Sequence, residues 1–162
     1  MVVKVSLAVI TFVATCSFAF SIPANAENSE VENAEIERVI NASIGWALDK
    51  NLDLLYCSMA QDSAFFIFHP NDNTIVGFDA FKHLAETVFM NPAFKATDFA
   101  VRELRINRSQ RGDVAWFSAL LDDHGEWNGE PTGWDNCRWT GVLEKRDGNW
   151  VIAQMHFSFE TE

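Results

Sequence analysis

The stretch "GNWVIAQMHFSF", residues 148–159, decides the reading of this chain. It alternates as a strand does, with Val151, Ala153, Met155, Phe157 and Phe159 on one face and Trp150, Ile152, Gln154, His156 and Ser158 on the other. The first face is a core. The second is part apolar and part polar, and ends in a histidine two residues from a serine. Just upstream, "KRDGN" (145–149) centres Asp-Gly between apolar runs, the strongest short hairpin signal. The strand therefore pairs with a preceding one over about 134–145. Two more follow upstream, at about 97–107 and 114–122, joined by the turn "RSQRGD". The segment "DDHGEWNGEPTG" (122–133) is acidic and Gly-rich and reads as a longer connection. Together these make a four-strand meander.

Upstream of the meander the period changes. Ile36, Val39, Ile40, Ile44, Ala47 and Leu48 recur at helical spacing until Asp49-Lys50-Asn51 breaks the stripe. A short second helix carries Leu52, Leu55 and Tyr56. "SAFFIFHP" is an aromatic strand stopped by Pro70. After the turn "NDN" and the brief strand "TIVG", "FDAFKHLAETVF" spaces Phe78, Phe81, Leu84, Ala85 and Val88 for a third helix, which Asn91-Pro92 ends. Segregated helices and strands predict an α+β fold with a single domain over 33–162.

The first residues read as an export signal. Lys4 gives a positive start, "VSLAVITFVATCSFAFSI" an apolar run, and Ala24-Asn25-Ala26 a small-residue exit, so 1–26 is expected as a signal peptide and 27–32 as a flexible leader. A retained membrane anchor is the rival reading of the apolar run. Cleavage implies a periplasmic or secreted protein with no membrane segment afterwards. The formal net charge of −11 repels phosphate backbones and argues against nucleic acid as a partner. Beyond the signal stand Cys57 and Cys137. An oxidising compartment allows a bridge between them; two buried free thiols is the alternative. With no C-x-x-C pair, no redox motif or zinc knuckle is indicated.

On these pieces the chain resembles the SnoaL-like branch of the nuclear-transport-factor-2-like superfamily. They are "VINASIGWALDKNLDLLY", "SAFFIFHP", "IVGFDAFKHL", "GDVAWFSA" and, most specifically, "RWTGVLEKRDGNWVIAQMHFS". The resemblance implies a cone, in which a strongly curved, mixed but mostly antiparallel sheet wraps three N-terminal helices and encloses an apolar cavity, usually in a homodimer. It carries little about function, because the scaffold hosts many unrelated activities. Ketosteroid isomerase, a relative, moves a proton with a carboxylate placed just before a proline at the end of the first long strand. Here that place holds His69-Pro70, and a histidine serves as a base near neutral pH. That relative's oxyanion tyrosine and aspartic acid fall near Ile44 and Arg138, so the pair is absent.

The resemblance leaves a ligand site of Trp46, Tyr56, Trp116, Arg138, Met155 and Phe157, with His69 as the candidate catalytic base. Such a site suits a small apolar or aromatic molecule. His156 and Ser158 then face outward, at an expected dimer interface. For Arg138 two readings conflict. Alternation puts Cys137, Trp139 and Leu143 inward and Arg138 outward, whereas the resemblance turns Arg138 inward. "DDHGE" (Asp122, Asp123, His124, Glu126) reads as a solvated turn rather than a metal site, since no second histidine stands at ligand spacing. No phosphate loop or nucleophile elbow is present, and no cofactor is expected. The leading expectation is a small-molecule-binding protein; the alternative is an isomerase, dehydratase or hydrolase using His69 and Arg138.

Overall fold

The structure, a computed structural model, describes residues 24–70 and 73–160. Helix α1 (Ala24–Asp49) and helix α2 (Leu52–Ser58) lead into two short strands, β1 (Phe66–Phe68) and β2 (Thr74–Val76). Helix α3 (Phe78–Leu84) continues through one π-helical turn, Ala85–Phe89, and the meander follows: β3 (Phe94–Arg108), β4 (Val114–Trp127), β5 (Glu130–Arg146) and β6 (Asn149–Ser158). The six strands form one sheet in the order β2-β1-β6-β5-β4-β3. All its pairings are antiparallel except β1 with β6, which run parallel. This is the expected α+β architecture, three helices against a curved, mostly antiparallel sheet.

The apolar stripe of α1 packs as its spacing implies at its start, with Ile36 and Ile40 fully buried and Val39 nearly so, but at its end Leu48 is 44% exposed and Trp46, outside that stripe, is buried instead. Each such side chain contributes about 1.5–3 kcal/mol by leaving water. Ser43 lies on the same buried face, its hydroxyl donating to the Ile40 carbonyl at 2.7 Å. Lys50 adopts a positive φ of 52° between the first two helices, and the Asn51 side chain caps α2 by accepting from Leu54 N at 3.0 Å.

Further expectations fail, each for a physical reason. First, residues 27–32 are not a flexible leader but part of α1. Glu32 accepts from Lys145 Nζ at 2.6 Å and from Trp150 Nε1 at 2.8 Å, and Arg108 donates to Ser29 Oγ at 2.6 Å. These polar anchors replace the apolar period that would have announced a helix. Most of the expected signal segment, residues 1–23, lies outside the described residues.

Second, the π turn adds a residue to the helical phase. Val88 is therefore 36% exposed, and Phe89, not Val88, packs against the core.

Third, "DDHGEWNGEPTG" is not a loop. β4 and β5 stay paired down to Trp127↔Glu130, and Asn128 and Gly129 make the reversal with φ of 52° and 86°. Positive φ at both central residues is what a two-residue hairpin needs, and Asn-Gly supplies it.

Fourth, β6 does not alternate uniformly. Its partner strand steps from Val142 to Leu143 while β6 steps from Gln154 to Ile152, leaving Ala153 as a bulge. The buried residues are accordingly Trp150 and Ile152 before it, and Met155 and Phe157 after it.

Cys57 is exposed and Cys137 buried, and both are free thiols. The possible bridge is not formed, and the reading of both as buried fails at Cys57. Burial raises the Cys137 thiol above the usual range. Among the described residues, no helix is long and apolar enough to cross a membrane.

Candidate functional site

A pocket of about 80 Å³ lies between α1, the α3 segment with its π turn, and the helix-facing side of the sheet. Trp46 enters from α1, Phe89 from the π turn, His69 from the end of β1, Asp123 from β4, Trp134 from β5, and Met155 and Phe157 from β6. The sheet explains their convergence. Parallel pairing sets Phe68 opposite His156, which brings His69 alongside Phe157, their rings 6.0 Å apart. Trp134 packs edge-on to His69 at 4.9 Å and tilts against Phe157 at 5.4 Å. The His69 backbone N–H donates to the Asn73 carbonyl at 2.9 Å, holding the turn after β1.

Asp123 stands directly across the ladder from Trp134. Its inward direction follows from strand parity, since Ala115, Phe117, Ala119 and Leu121 are the buried alternate residues of β4. Between Leu121 and Asp123 the partner strand carries an extra residue: Leu121 opposes Cys137, whereas Asp123 opposes Trp134. Asn136, at φ 53°, takes up this bulge, in a conformation that asparagine tolerates better than most residues. The Asp123 carboxyl accepts no hydrogen bond among the described residues. Burial pushes its pKa up to about 6, against a smaller opposing pull from His124.

Its neighbour has the reverse surroundings. Asp122 accepts from Arg102 Nε and Nη2 at 2.7 and 2.8 Å and from Asn136 N at 2.8 Å. These bonds, that of Arg102 foremost, bring its pKa down to about 2. His124 pairs with Asp135 at 2.9 Å, which raises the imidazole above its usual value. Among the described residues, no group of three or more histidine, cysteine or carboxylate side chains converges as a metal site.

Of the residues expected at the site, His69, Trp46, Met155 and Phe157 meet at this pocket. Tyr56, Trp116 and Arg138 do not. The Tyr56 hydroxyl donates to Glu86 at 3.2 Å, and its ring packs edge-on against Phe78, on a different groove. Trp116 is 47% exposed, because Ala115 and Phe117 take the inward positions of β4. Arg138 points outward to Glu160 at 3.5 Å, while Cys137 and Trp139 on either side are fully buried. Alternation was the correct guide there. His156 is exposed, its ring 5.9 Å from that of Phe68; Ser158, opposite Arg138, is half-buried.

The groove that holds Tyr56 is larger, about 480 Å³, and also carries Cys57 and Arg146. Arg146 is already paired with Asp62 and with Glu144. We favour the smaller pocket as the site, because it is largely apolar and brings a carboxyl and an imidazole to one wall.

A model of the SnoaL-like domain matches residues 36–162. Solved structures share the fold at low identity. A protein of unknown function from Mycobacterium tuberculosis aligns with TM-score 0.69 and 14% identity, covering 85% of this chain and 76% of that one. A Novosphingobium aromaticivorans protein, provisionally named a scytalone dehydratase, aligns with TM-score 0.68 and 14% identity over 85% of this chain and 93% of that one. A nuclear-transport-factor-2-like protein of unknown function from Shewanella oneidensis gives TM-score 0.58 and 16% identity over 78% and 98%. No curated protein matches the chain.

Proposed function

The chain belongs to the SnoaL-like domain family, and from that premise we propose that it binds a small, largely apolar molecule in the pocket, with the ligand's polar end against Asp123 and His69. The observation that carries this reading is the inward Asp123 carboxyl, largely desolvated and with no hydrogen bond among the described residues, in a pocket that it shares with His69. A polar group so placed costs stability unless something bonds to it, and a ligand supplies that bond. The size of the pocket restricts what enters. About 80 Å³ is well under the ~300–1,000 Å³ of sites that take drug-sized ligands. A small molecule or the head of a larger one fits; a fused ring system requires Phe89 or its neighbours to move.

Proton transfer is a second reading. It is favoured by a carboxyl poised at about pH 6 in the same pocket as an imidazole, the range in which acid–base groups work best. It replaces Arg138 in the expected chemistry with Asp123. The provisional dehydratase name of the Novosphingobium protein is compatible with it. We further propose export to the periplasm or medium, and a homodimer through the outer sheet face, where Trp116, Phe68 and His156 lie exposed beside Ser158.

The test is native mass spectrometry of the protein purified gently from its own host, before and after denaturation, alongside a Met155→Trp variant that fills the pocket. A small molecule retained by the wild type and lost from the variant is the expected result. A wild-type protein that retains nothing, and whose Trp46 and Trp134 signals ignore a panel of small apolar compounds, ends the binding reading. If Asp123→Asn and His69→Gln keep binding but abolish a turnover that the wild type shows, the second reading takes over.

A further inference from the structure

We propose that the ligand of this pocket is a small organic cation, an alkylammonium whose nitrogen sits against the Asp123 carboxylate beside aromatic rings. This rests on the binding reading above and specifies the class of ligand. Three observations converge on it.

The first is the charge of the walls. Asp123 is an acid directed inward, and no lysine or arginine is among the described residues that line the pocket. Arg138, the cation expected to hold an acidic or carbonyl group, is on the outside with Glu160. An anionic ligand would meet the Asp123 carboxylate, with the His69 imidazole as the one basic side chain among the described lining residues; an ammonium meets a carboxylate that has no hydrogen-bond partner among the described residues. Ser43, another polar lining residue, already donates its hydroxyl proton to Ile40.

The second is the nature of the remaining wall. About half of it is aromatic, Trp46, Phe81, Phe89, Phe94, Trp134 and Phe157, and the rest is largely aliphatic, from Ile44 and Ile67 to Leu84 and Met155. Aromatic faces carry negative potential and attract a cation, tryptophan most strongly. Aromatic rings beside one carboxylate offer an ammonium both attractions at once.

The third is size. At about 80 Å³ the pocket admits a short or methyl-capped amine and rejects the flat ring systems for which a wider cavity is needed. The formal charge of −11 adds a long-range field that gathers cations at the surface.

The experiment is a calorimetric or NMR titration of the protein at about pH 7.5 with three probes of one shape: tert-butylammonium, tert-butanol and pivalate. They differ chiefly in charge, positive, neutral and negative. The cation is expected to bind at least about tenfold more tightly than the alcohol, and pivalate not detectably. Asp123→Asn, with an unchanged near-UV circular dichroism spectrum, is expected to level cation and alcohol. Asp122→Asn removes the same formal charge outside the pocket and is expected to keep the preference. If the alcohol or pivalate binds as well as the cation, the cation class is wrong while the binding reading stands. If none of the three binds, the cation class falls, and the binding reading is decided by the mass-spectrometric test above. A preference that survives Asp123→Asn, or disappears in Asp122→Asn, overturns the assignment to the pocket carboxylate.

Discussion

Asp122 and Asp123 are neighbours in the chain, and their surroundings divide the molecule into two kinds of surface. On the outer face, Asp122 is held by a forked arginine and a backbone amide, and stays ionised down to about pH 2. On the helix-facing side, Asp123 has aromatic neighbours, accepts no hydrogen bond among the described residues and ionises only near pH 6. The residue type is the same; strand parity alone separates them. An outward carboxylate finds partners and becomes structural, whereas an inward one left without partners is available to a ligand.

The separation of the two carboxylates is most sensitive at Gly133. A Cβ there would stand 2.3 Å from the Asp123 backbone oxygen and 2.9 Å from His124 Cα, at a φ of 148°. Gly133→Ala is expected to cost about 3 kcal/mol or more by forcing β5 off β4 where the two carboxylates part. Urea unfolding measures it, and a loss within about 1 kcal/mol would mean that the ladder does not continue as described.

Asp123→Asn sharpens the contrast. The folded pKa of Asp123 is raised, so its contribution is most favourable below the unfolded value near 3.8 and is lost as pH rises through about 6. The variant should therefore be more stable than wild type at pH 7.5, by on the order of 2 kcal/mol, and nearly equal to it at pH 3.5. Asp122 has the opposite sign. Its depressed pKa gives stability that is present above about 3.8 and fades as pH falls through about 2. Asp122→Asn should weaken the protein at neutral pH and converge with wild type in strong acid. Two unfolding curves with the same pH trend would refute the division.

The smallest effect belongs to Arg138→Ala. Its pair with Glu160 is exposed, so stability should change by less than about 0.5 kcal/mol and ligand retention not at all. Loss of binding in this variant would restore the inward arginine.

These results also show what the sequence made legible. Helix spacing, the Asp-Gly turn and the meander were readable because each rests on local patterning, and the family match over 36–162 agrees with them. His69, Met155 and Phe157 were reachable through the resemblance. Asp123 was missed because "DDHGEWNG" is polar and Gly-rich, and was read as a loop. Its signal was present: Asn128-Gly129 is a hairpin turn, and alternation from Ala115 through Leu121 runs on to Asp123. Arg138 and Trp116 went wrong in the opposite way, where an expected role was preferred over parity. Bulges and the π turn have no comparable local signature. Each adds a residue and reverses or rotates everything beyond it.

The bulge at Ala153 has a consequence of its own. Before it, β6 serves the helical layer: Trp150 bonds to Glu32 of α1, and the Ile152 carbonyl accepts from Ala60 N just beyond α2. After it, Met155 and Phe157 line the pocket. One inserted residue thus lets a single strand act as a pin for the helices at one end and as furniture of the pocket chamber at the other. The sequence can re-furnish the chamber without loosening the pin.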